Sequence, residues 1–194
     1  MKRLIVLLTL LAAPVCETSV QAQALPPNRC WPAFNYDGKP VQQDATFSRA
    51  VVAGSQRATP QYTAASKTMT AADGKLQVWL EVKTYKDFPA EEYSVRLTNL
   101  SKTEPTGIID NFRSLGLAFE NPKSTSPVSL SVLRGSTCAA TDFVPESFTI
   151  EAGKERVLAT TCGRSSNDFI PFLELNLDDN NGYLFAVGWT GSWK

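Results

Sequence analysis

Alternation of apolar and polar residues, broken at intervals by turn residues, constrains the fold of this chain most strongly. Residues 76–83 alternate in this way over most of their length, and residues 93–99 do so again. A period of two residues places every second side chain on one face of a strand, so both segments predict half-buried β-strands. The break at residues 86–90 contains Pro89, and it predicts that the two strands form a hairpin. Trp79 lies inside the first strand, and we interpret it as a core residue.

Later segments show the same signature as pairs of strands around turns. Residues 172–177 and 183–187 flank a turn that ends in Asn-Gly, a dipeptide favoured where the backbone needs positive φ. Residues 147–150 and 156–160 predict another pair. No segment sustains a helical period, and 12 prolines and 11 glycines separate the strands. We therefore predict an all-β fold, a large antiparallel β-sandwich with two extended sheets.

The first 24 residues predict a signal peptide. Two basic residues precede an apolar run over residues 4–15 that is too short to span a bilayer comfortably, and Ala-Gln-Ala at 22–24 supplies a cleavage site. Cys16 leaves a lipoprotein signal as an alternative, although Val15 stands where such a signal needs a small residue. Cleavage after residue 24 leaves a single domain, residues 25–194. We expect this domain to be periplasmic or secreted, and not bound to the membrane.

Charge and composition exclude several classes of function. Without Lys2, Arg3 and Glu17, 17 basic and 18 acidic residues remain from 19 of each, and no basic block is present. Nucleic acid is therefore not an expected partner, because phosphate binding needs a positive field. The chain has no histidine, which excludes Ser-His-Asp and Cys-His catalysis and the HExxH zinc motif. We predict no cofactor and no metal site.

Three cysteines follow the predicted cleavage site: Cys30, Cys138 and Cys162. An exported protein can form disulfides, and three thiols allow any one of three bridges. We favour a disulfide between Cys138 and Cys162, because both residues stand at the ends of adjacent predicted strands. The alternative is that all three cysteines are small buried apolar residues.

Acidic residues offer two possible sites, and each has a plainer explanation. The turn at residues 178–182 carries the oxygen ligands that calcium binds, but hairpin turns use the same residues for backbone reasons. A glycosidase needs two carboxylates that face each other, and Glu91, Glu92 and Asp142 are the available acids. The sequence does not bring any two of them together, and isolated acids on loops are usually solvated.

Two loops combine arginine with glycine and serine. Arg134 precedes Cys138 in one loop, and Arg164 follows Cys162 in the other. A planar guanidinium can bind a sugar or a partner domain, and together with Asp142 these arginines are candidates for that role. The alternative is that each arginine fixes its own loop through a carboxylate or carbonyl groups.

Aromatic residues near the end of the chain are the remaining candidates. Sugar rings have apolar faces that stack on aromatic side chains. Trp189 and Trp193 stand in a glycine-rich segment, where they can stack a ligand or pack against a neighbouring domain, and we favour the domain. The other aromatic candidates are Trp31, Tyr36, Tyr62 and Tyr85.

Three short motifs occur in order: Gly-Arg-Ser-Ser at 163–166, Pro-Phe at 171–172, and Gly-Trp-Thr-Gly-Ser-Trp at 188–193. With them the chain resembles the N-terminal β-domain of α-galactosidase-like glycoside hydrolases, the family 36 and melibiase group. The resemblance covers about residues 60–194. The family usually has Gln where this chain has Ser192. Weaker matches lie at residues 88–93, 96–99, 108–111, 134–136 and 142–145.

The resemblance implies a β-supersandwich, which in the family is followed by a (β/α)8 barrel. Two catalytic aspartates stand at the strand ends of that barrel. No matched position corresponds to either aspartate, so the resemblance assigns no catalytic residue to this chain. It implies that residues 188–193 lie at the junction with the barrel. We therefore expect a non-catalytic scaffold and docking module for a catalytic barrel, from a truncated, split or solitary gene product.

Two other functions compete with docking. One is a free-standing exported carbohydrate-binding module whose terminal tryptophans bind galactosides or polysaccharide, and the other is an enzyme in its own right. The missing histidine and barrel disfavour the enzyme. Docking predicts an exposed apolar patch of more than about a few hundred Å² near Trp189 and Trp193. Full burial of both rings instead favours a self-sufficient domain.

Overall fold

A computed structural model describes residues 4–9, 32–41, 48–117, 127–151, 153–178 and 181–194. Within these residues every regular element is a β-strand, so the prediction of an all-β antiparallel sandwich is confirmed. Cys30 and Trp31 lie outside them, as does most of the predicted signal peptide. In chain order the strands are β1 (Leu4–Thr9), β2 (Ala33–Tyr36), β3 (Lys39–Val41), β4 (Ser48–Ala58), β5 (Tyr62–Ala71), β6 (Leu76–Tyr85), β7 (Ala90–Asn99), β8 (Ile109–Arg113), β9 (Ser129–Arg134), β10 (Pro145–Thr149), β11 (Phe169–Asn176) and β12 (Gly182–Val187).

The chain divides into two compact units, the first of which contains β2 to β8. Four of its strands form an antiparallel sheet in the order β7-β6-β5-β4. Val78 lies opposite Met69 on one side and Leu97 on the other, and this row continues the apolar face that Leu76 and Leu80 share. Leu76, Val78 and Leu80 are almost wholly buried. The alternating residues that predicted the β6–β7 hairpin therefore build the core of this unit.

Trp79 is not a core residue, contrary to the prediction. The buried residues of β6 are Leu76, Val78, Leu80 and Val82, so Trp79 falls on the opposite, polar face of the sheet and is only half-buried. The guanidinium of Arg96, its partner on β7, lies 5.0 Å from the centre of its ring. Because side chains alternate between the two faces of a strand, the buried neighbours Val78 and Leu80 place Trp79 on the opposite face, although its side chain is largely apolar.

The first unit also contains a small sheet in the order β3-β2-β8. Phe34 and Val41 from this sheet are buried. The Tyr36 hydroxyl donates to Asp73 Oδ2 at 2.7 Å and accepts from the Gly107 N–H at 2.9 Å. These bonds connect the small sheet to the turn between β5 and β6 and to the segment that precedes β8.

The second unit contains the sheet β10-β9-β11-β12, and residues 6–9 of β1 pair with β12. The β11–β12 hairpin confirms the strand pair predicted around the Asn-Gly turn. The predicted pairing of residues 147–150 with 156–160 is wrong, because β10 pairs with β9 and residues 154–160 form no strand. Thr160 bonds instead to the C-terminal segment, and Arg156 lies 3.6 Å from the centre of the Phe148 ring.

Candidate functional site

Three loops of the second unit meet in what we call the loop cluster: residues 134–142, 160–168 and 188–193. The Gly135 N–H donates to the carbonyl of Asp168 at 2.9 Å, and the Ser136 N–H donates to the carbonyl of Ser166 at 2.9 Å. Gly135 is buried at this crossing, where the two backbones approach too closely for a side chain. The two arginine-containing motifs of the sequence are therefore adjacent in space.

Trp193 fastens the C-terminal segment to the cluster through three hydrogen bonds. Its N–H donates to Thr160 Oγ1 at 3.1 Å, and its carbonyl accepts from the Thr160 N–H at 2.9 Å. Its indole N–H donates to the carbonyl of Ser165 at 2.7 Å. Ser192 adds a fourth contact, because its hydroxyl accepts from the Gly163 N–H at 3.0 Å. The motifs at 163–166 and 188–193 thus form one structural unit.

Trp189 and Trp193 are both half-buried. The indole Nε1 of Trp189 lies over Gly191, at 2.7 Å from the position that a Cβ on that glycine would take. Full burial of both rings, the outcome that favours a self-sufficient domain, is therefore not observed.

Asp142 organises the first loop of the cluster. Its carboxylate accepts hydrogen bonds from the Ser136 hydroxyl at 2.9 Å and from the backbone N–H groups of Thr137, Cys138 and Ala139 at 3.0 to 3.3 Å. These donors lower the pKa of Asp142, the Thr137 N–H most strongly. A carboxylate saturated by its own loop is suited to holding that loop, and it is poorly suited to acid–base chemistry.

Asp168 has the same role in the second loop, and the sequence analysis did not single it out. Its Oδ2 accepts from the Thr161 hydroxyl at 2.8 Å, from the Thr161 N–H at 2.5 Å and from the Asn167 amide at 3.2 Å. These bonds lower the pKa of Asp168, with the Thr161 hydroxyl as the largest cause. An Asn-Asp pair after a Gly-Arg-Ser-Ser turn is the local signal that a carboxylate closes the loop.

Acid should remove the contribution of the Asp142 and Asp168 carboxylates to the stability of the fold. Because the pKa values of Asp142 and Asp168 are lower in the folded chain, both carboxylates stabilise the fold above the unfolded pKa of about 3.9, and this stability is lost as the pH falls below it. Urea unfolding between about pH 6 and pH 3, followed by tryptophan fluorescence, should show this loss. The Asp142→Asn variant should show a smaller decrease, and an unchanged acid profile would contradict the assignment.

Both candidate arginines bind partners inside their own unit. Arg134 forms an ion pair with Glu146 on β10, with Nε and Nη2 each 2.5 Å from Oε1. Arg164 Nη2 donates to Asn167 Oδ1 at 2.6 Å within its loop. Arg134 thus joins β9 to β10 and remains 51% exposed, whereas Arg164 fixes its own loop.

The favoured disulfide between Cys138 and Cys162 is not formed in the structure. Both thiols are free and exposed, so the alternative of buried apolar cysteines is also wrong for these two residues. Each cysteine occupies a left-handed backbone position, with φ of 65° and 57°, in the turn of its own loop. The conformation of the two turns therefore determines where the thiols lie. The expected proximity of the strand ends does not predict this conformation.

The other acidic candidates are engaged in local contacts. In the turn after β11, the Asn181 amide donates to both oxygens of Asp178 at 2.9 Å, while Asp179 and Asn180 lie outside the described residues. Glu91 accepts from the Tyr93 hydroxyl, and Glu92 is paired with Lys83. Within the described part of the chain, no group of three acidic or cysteine residues is placed to hold a metal ion.

Among the residues that the structure describes, there is no helix with the length and hydrophobicity needed to span a membrane.

An exposed apolar surface lies on the sheet of the second unit. Val132 and Leu173 are paired across β9 and β11, so the adjacent Leu133 and Phe172 both lie on the opposite face. Leu133 and Phe172 are 41% and 52% exposed. Pro145 pairs with Leu133, and Ala186 pairs with Phe172, which extends this surface across four strands. We call these four residues the apolar sheet face.

Comparison of this chain with protein-family profiles, with curated proteins and with solved structures finds no match.

Proposed function

We propose that this chain is the β-sandwich domain of an exported α-galactosidase-like glycoside hydrolase, and that it serves as a scaffold and docking module for a catalytic (β/α)8 barrel. One observation carries the proposal. The segment at 188–193, which in the resemblance marks the junction with a barrel, is fastened to the Gly-Arg-Ser-Ser loop by Trp193 and Ser192. Two motifs that are separated in sequence thus act together, as parts of one junction do.

The hydrogen bonds of Trp193 suit such a junction. Bonds in both directions between Thr160 and Trp193 fix the path of the backbone, and the indole bond to Ser165 fixes the ring. A preset path lowers the entropy cost of docking a second domain. Ala186, on the apolar sheet face, is near the end of β12, and the chain continues from β12 directly into the segment at 188–193. The apolar sheet face is therefore the surface that we assign to the barrel domain.

The carboxylates of the loop cluster support a non-catalytic role. A glycosidase acid has a raised pKa, and its partner carboxylate must reach the sugar. Asp142 and Asp168 instead have lowered pKa values, and backbone and hydroxyl groups of their own loops occupy them. Neither residue has the properties of a catalytic acid.

The alternative, a carbohydrate-binding module that uses the terminal tryptophans, fits these rings less well. The indole N–H of Trp193 is already bonded to Ser165, and the ring of Trp189 lies over Gly191. Sugar recognition at these rings predicts that a Trp193→Ala variant loses binding to galactosides. Docking predicts that Trp193→Ala leaves any binding of galactosides unchanged.

The adjoining coding DNA and its product provide the test. We expect the DNA next to this coding sequence to encode a barrel with aspartates at its strand ends, and we expect that barrel to co-elute with this chain in size-exclusion chromatography. A Leu133→Glu, Phe172→Glu double variant should weaken the complex at least about tenfold, because it places charges in an apolar interface. Ile108→Glu, at an exposed apolar residue of the first unit, is the control.

Two results would contradict docking. One is an adjoining sequence without any barrel, and the other is a complex that the double variant and the control weaken equally. Hydrolysis of a chromogenic α-galactoside by this chain alone, above the rate in buffer, would instead identify it as an enzyme.

A further inference from the structure

A second group of aromatic side chains lies in the first unit, on the polar face of its larger sheet. Tyr62 and Tyr85 are direct partners across β5 and β6, and their ring centres are 5.9 Å apart at 61°. Phe88, in the loop after β6, continues the row at 6.2 Å from Tyr85 and 40°. Phe88 is 58% exposed, and both tyrosines are half-buried. We call these three residues the aromatic face.

Polar groups border the aromatic face. Glu92 accepts from Lys83 Nζ at 2.9 Å with one oxygen and from the Tyr85 hydroxyl at 3.0 Å with the other. Arg57 Nη2 donates to the Tyr62 hydroxyl at 3.0 Å, and its guanidinium lies 5.7 Å from the centre of that ring. Donors and acceptors thus stand at the edges of rings whose faces are apolar.

These groups are held in place before any ligand arrives. Only 21% of the Lys83 side chain and 13% of the Glu92 side chain are exposed, so the ion pair is largely shielded. The backbone N–H of Thr59 donates to the carbonyl of Tyr62 at 2.8 Å, and that of Lys86 donates to the carbonyl of Gln61 at 2.9 Å. Strand pairing and these loop bonds fix the tyrosines, which reduces the entropy lost on binding.

We propose that the aromatic face is a binding site for a neutral oligosaccharide. The apolar C–H faces of sugar rings stack on aromatic rings, and the hydroxyls bond to the bordering carboxylate and guanidinium. Because the aromatic rings are turned relative to one another, they suit a chain whose successive sugar rings are also turned. Two cations lie near the Tyr62 ring, Lys83 at 5.5 Å and Arg57 at 5.7 Å from its centre, and Lys83 is neutralised by its ion pair with Glu92. A polyanionic glycan needs more positive charge than this.

This site is separate from the junction proposed above, and each can be right without the other. It lies in the first unit, whereas the loop cluster and the apolar sheet face lie in the second. The ligand differs as well, because the junction takes a protein domain and the aromatic face takes a glycan. Neither the barrel nor the terminal tryptophans enter the argument, and only the choice of galactose-containing test sugars rests on the proposed function.

Isothermal titration calorimetry of the purified chain with a neutral galactan oligosaccharide and a galactomannan oligosaccharide tests the site. We expect saturable binding to at least one of them. Phe88→Ala and Tyr62→Ala should each weaken it by about fivefold to tenfold, taking one ring–sugar contact to be worth about as much as one aromatic pair. Tyr85→Phe keeps the ring and loses the bond to Glu92, so it should weaken binding less. Phe143→Ala is the matched control, because Phe143 is also 58% exposed and belongs to the other unit.

Thermal melts of each variant separate loss of binding from loss of folding, and Phe88→Ala is the decisive variant because its ring is mostly exposed. The absence of binding by the folded wild-type chain to either oligosaccharide would overturn the proposal. Binding that Phe88→Ala leaves intact, or that Trp193→Ala abolishes, would also overturn it, because the sugar would then lie elsewhere. Tighter, salt-sensitive binding of polygalacturonate would show an anionic ligand and would overturn the neutral assignment.

Discussion

Gly135→Ala is expected to lower the free energy of unfolding by about 3 kcal/mol or more, which is the upper range for forcing a group into a packed interior. The added Cβ would lie 2.5 Å from the carbonyl oxygen of Asn167 and still closer to that of Ser166. Both obstacles are backbone atoms, so no side-chain rotation relieves the clash. The two loops would have to separate, which breaks the bonds from Gly135 and Ser136 that join them. Urea unfolding followed by tryptophan fluorescence measures the loss.

Gly116→Ala is the control for this variant. Its Cβ would meet no atom within 4 Å, and no positive φ makes the substitution strained. The free energy of unfolding should therefore change by less than about 1 kcal/mol, since alanine mainly restricts the unfolded chain. Equal stability of Gly135→Ala and wild type would show that the loops do not cross at this glycine.

Leu80→Ala is expected to lower the free energy of unfolding by about 2–5 kcal/mol, the range for creating a cavity at a buried leucine. Leu80 is completely buried, and its strand partners Lys67 and Val95 lie on either side of it in the middle of the sheet. Central strands fixed on both sides cannot move inward to fill the space. Chemical denaturation monitored by circular dichroism gives the difference directly.

Gln77→Ala serves as the comparison on the same strand. Gln77 is half-buried on the polar face, so its replacement should change stability by no more than about 0.5 kcal/mol. A larger loss for Gln77→Ala than for Leu80→Ala would mean that the faces of β6 have been assigned the wrong way round.

The fold could be predicted where short-range patterns decide it. The β6–β7 and β11–β12 hairpins follow from alternation and turn residues, because both signals are contained in about 20 neighbouring residues. Residues 156–160 show where this reasoning fails. Their composition suits a strand, but Thr160 bonds to Trp193, and local pattern contains no information about a partner 33 residues away.

The sequence predicted only part of the candidate site, again because local patterns do not specify contacts between distant residues. Motif spacing drew attention to Arg134, Asp142, Arg164 and Trp193, and the structure brings their loops together. The actual roles depend on hydrogen-bond geometry, which residue types alone do not specify. Asp142 resembled a possible catalytic acid in the sequence, yet its four donors lie within its own loop.

In many hydrogen bonds of the loop cluster, one of the two partners is a backbone atom. Some positions of the cluster should therefore tolerate substitution, whereas others should not. Ser165 and Ser166 contribute carbonyl groups, so their side chains do not make these bonds, and Gly163 contributes an N–H. Sequence drift at 165 and 166 therefore preserves the contacts. Asp142, Asp168 and Thr160 contribute side-chain oxygens and tolerate little change. Divergent copies of this domain would thus retain their acids and glycines longer than the serines that first make the motif recognisable.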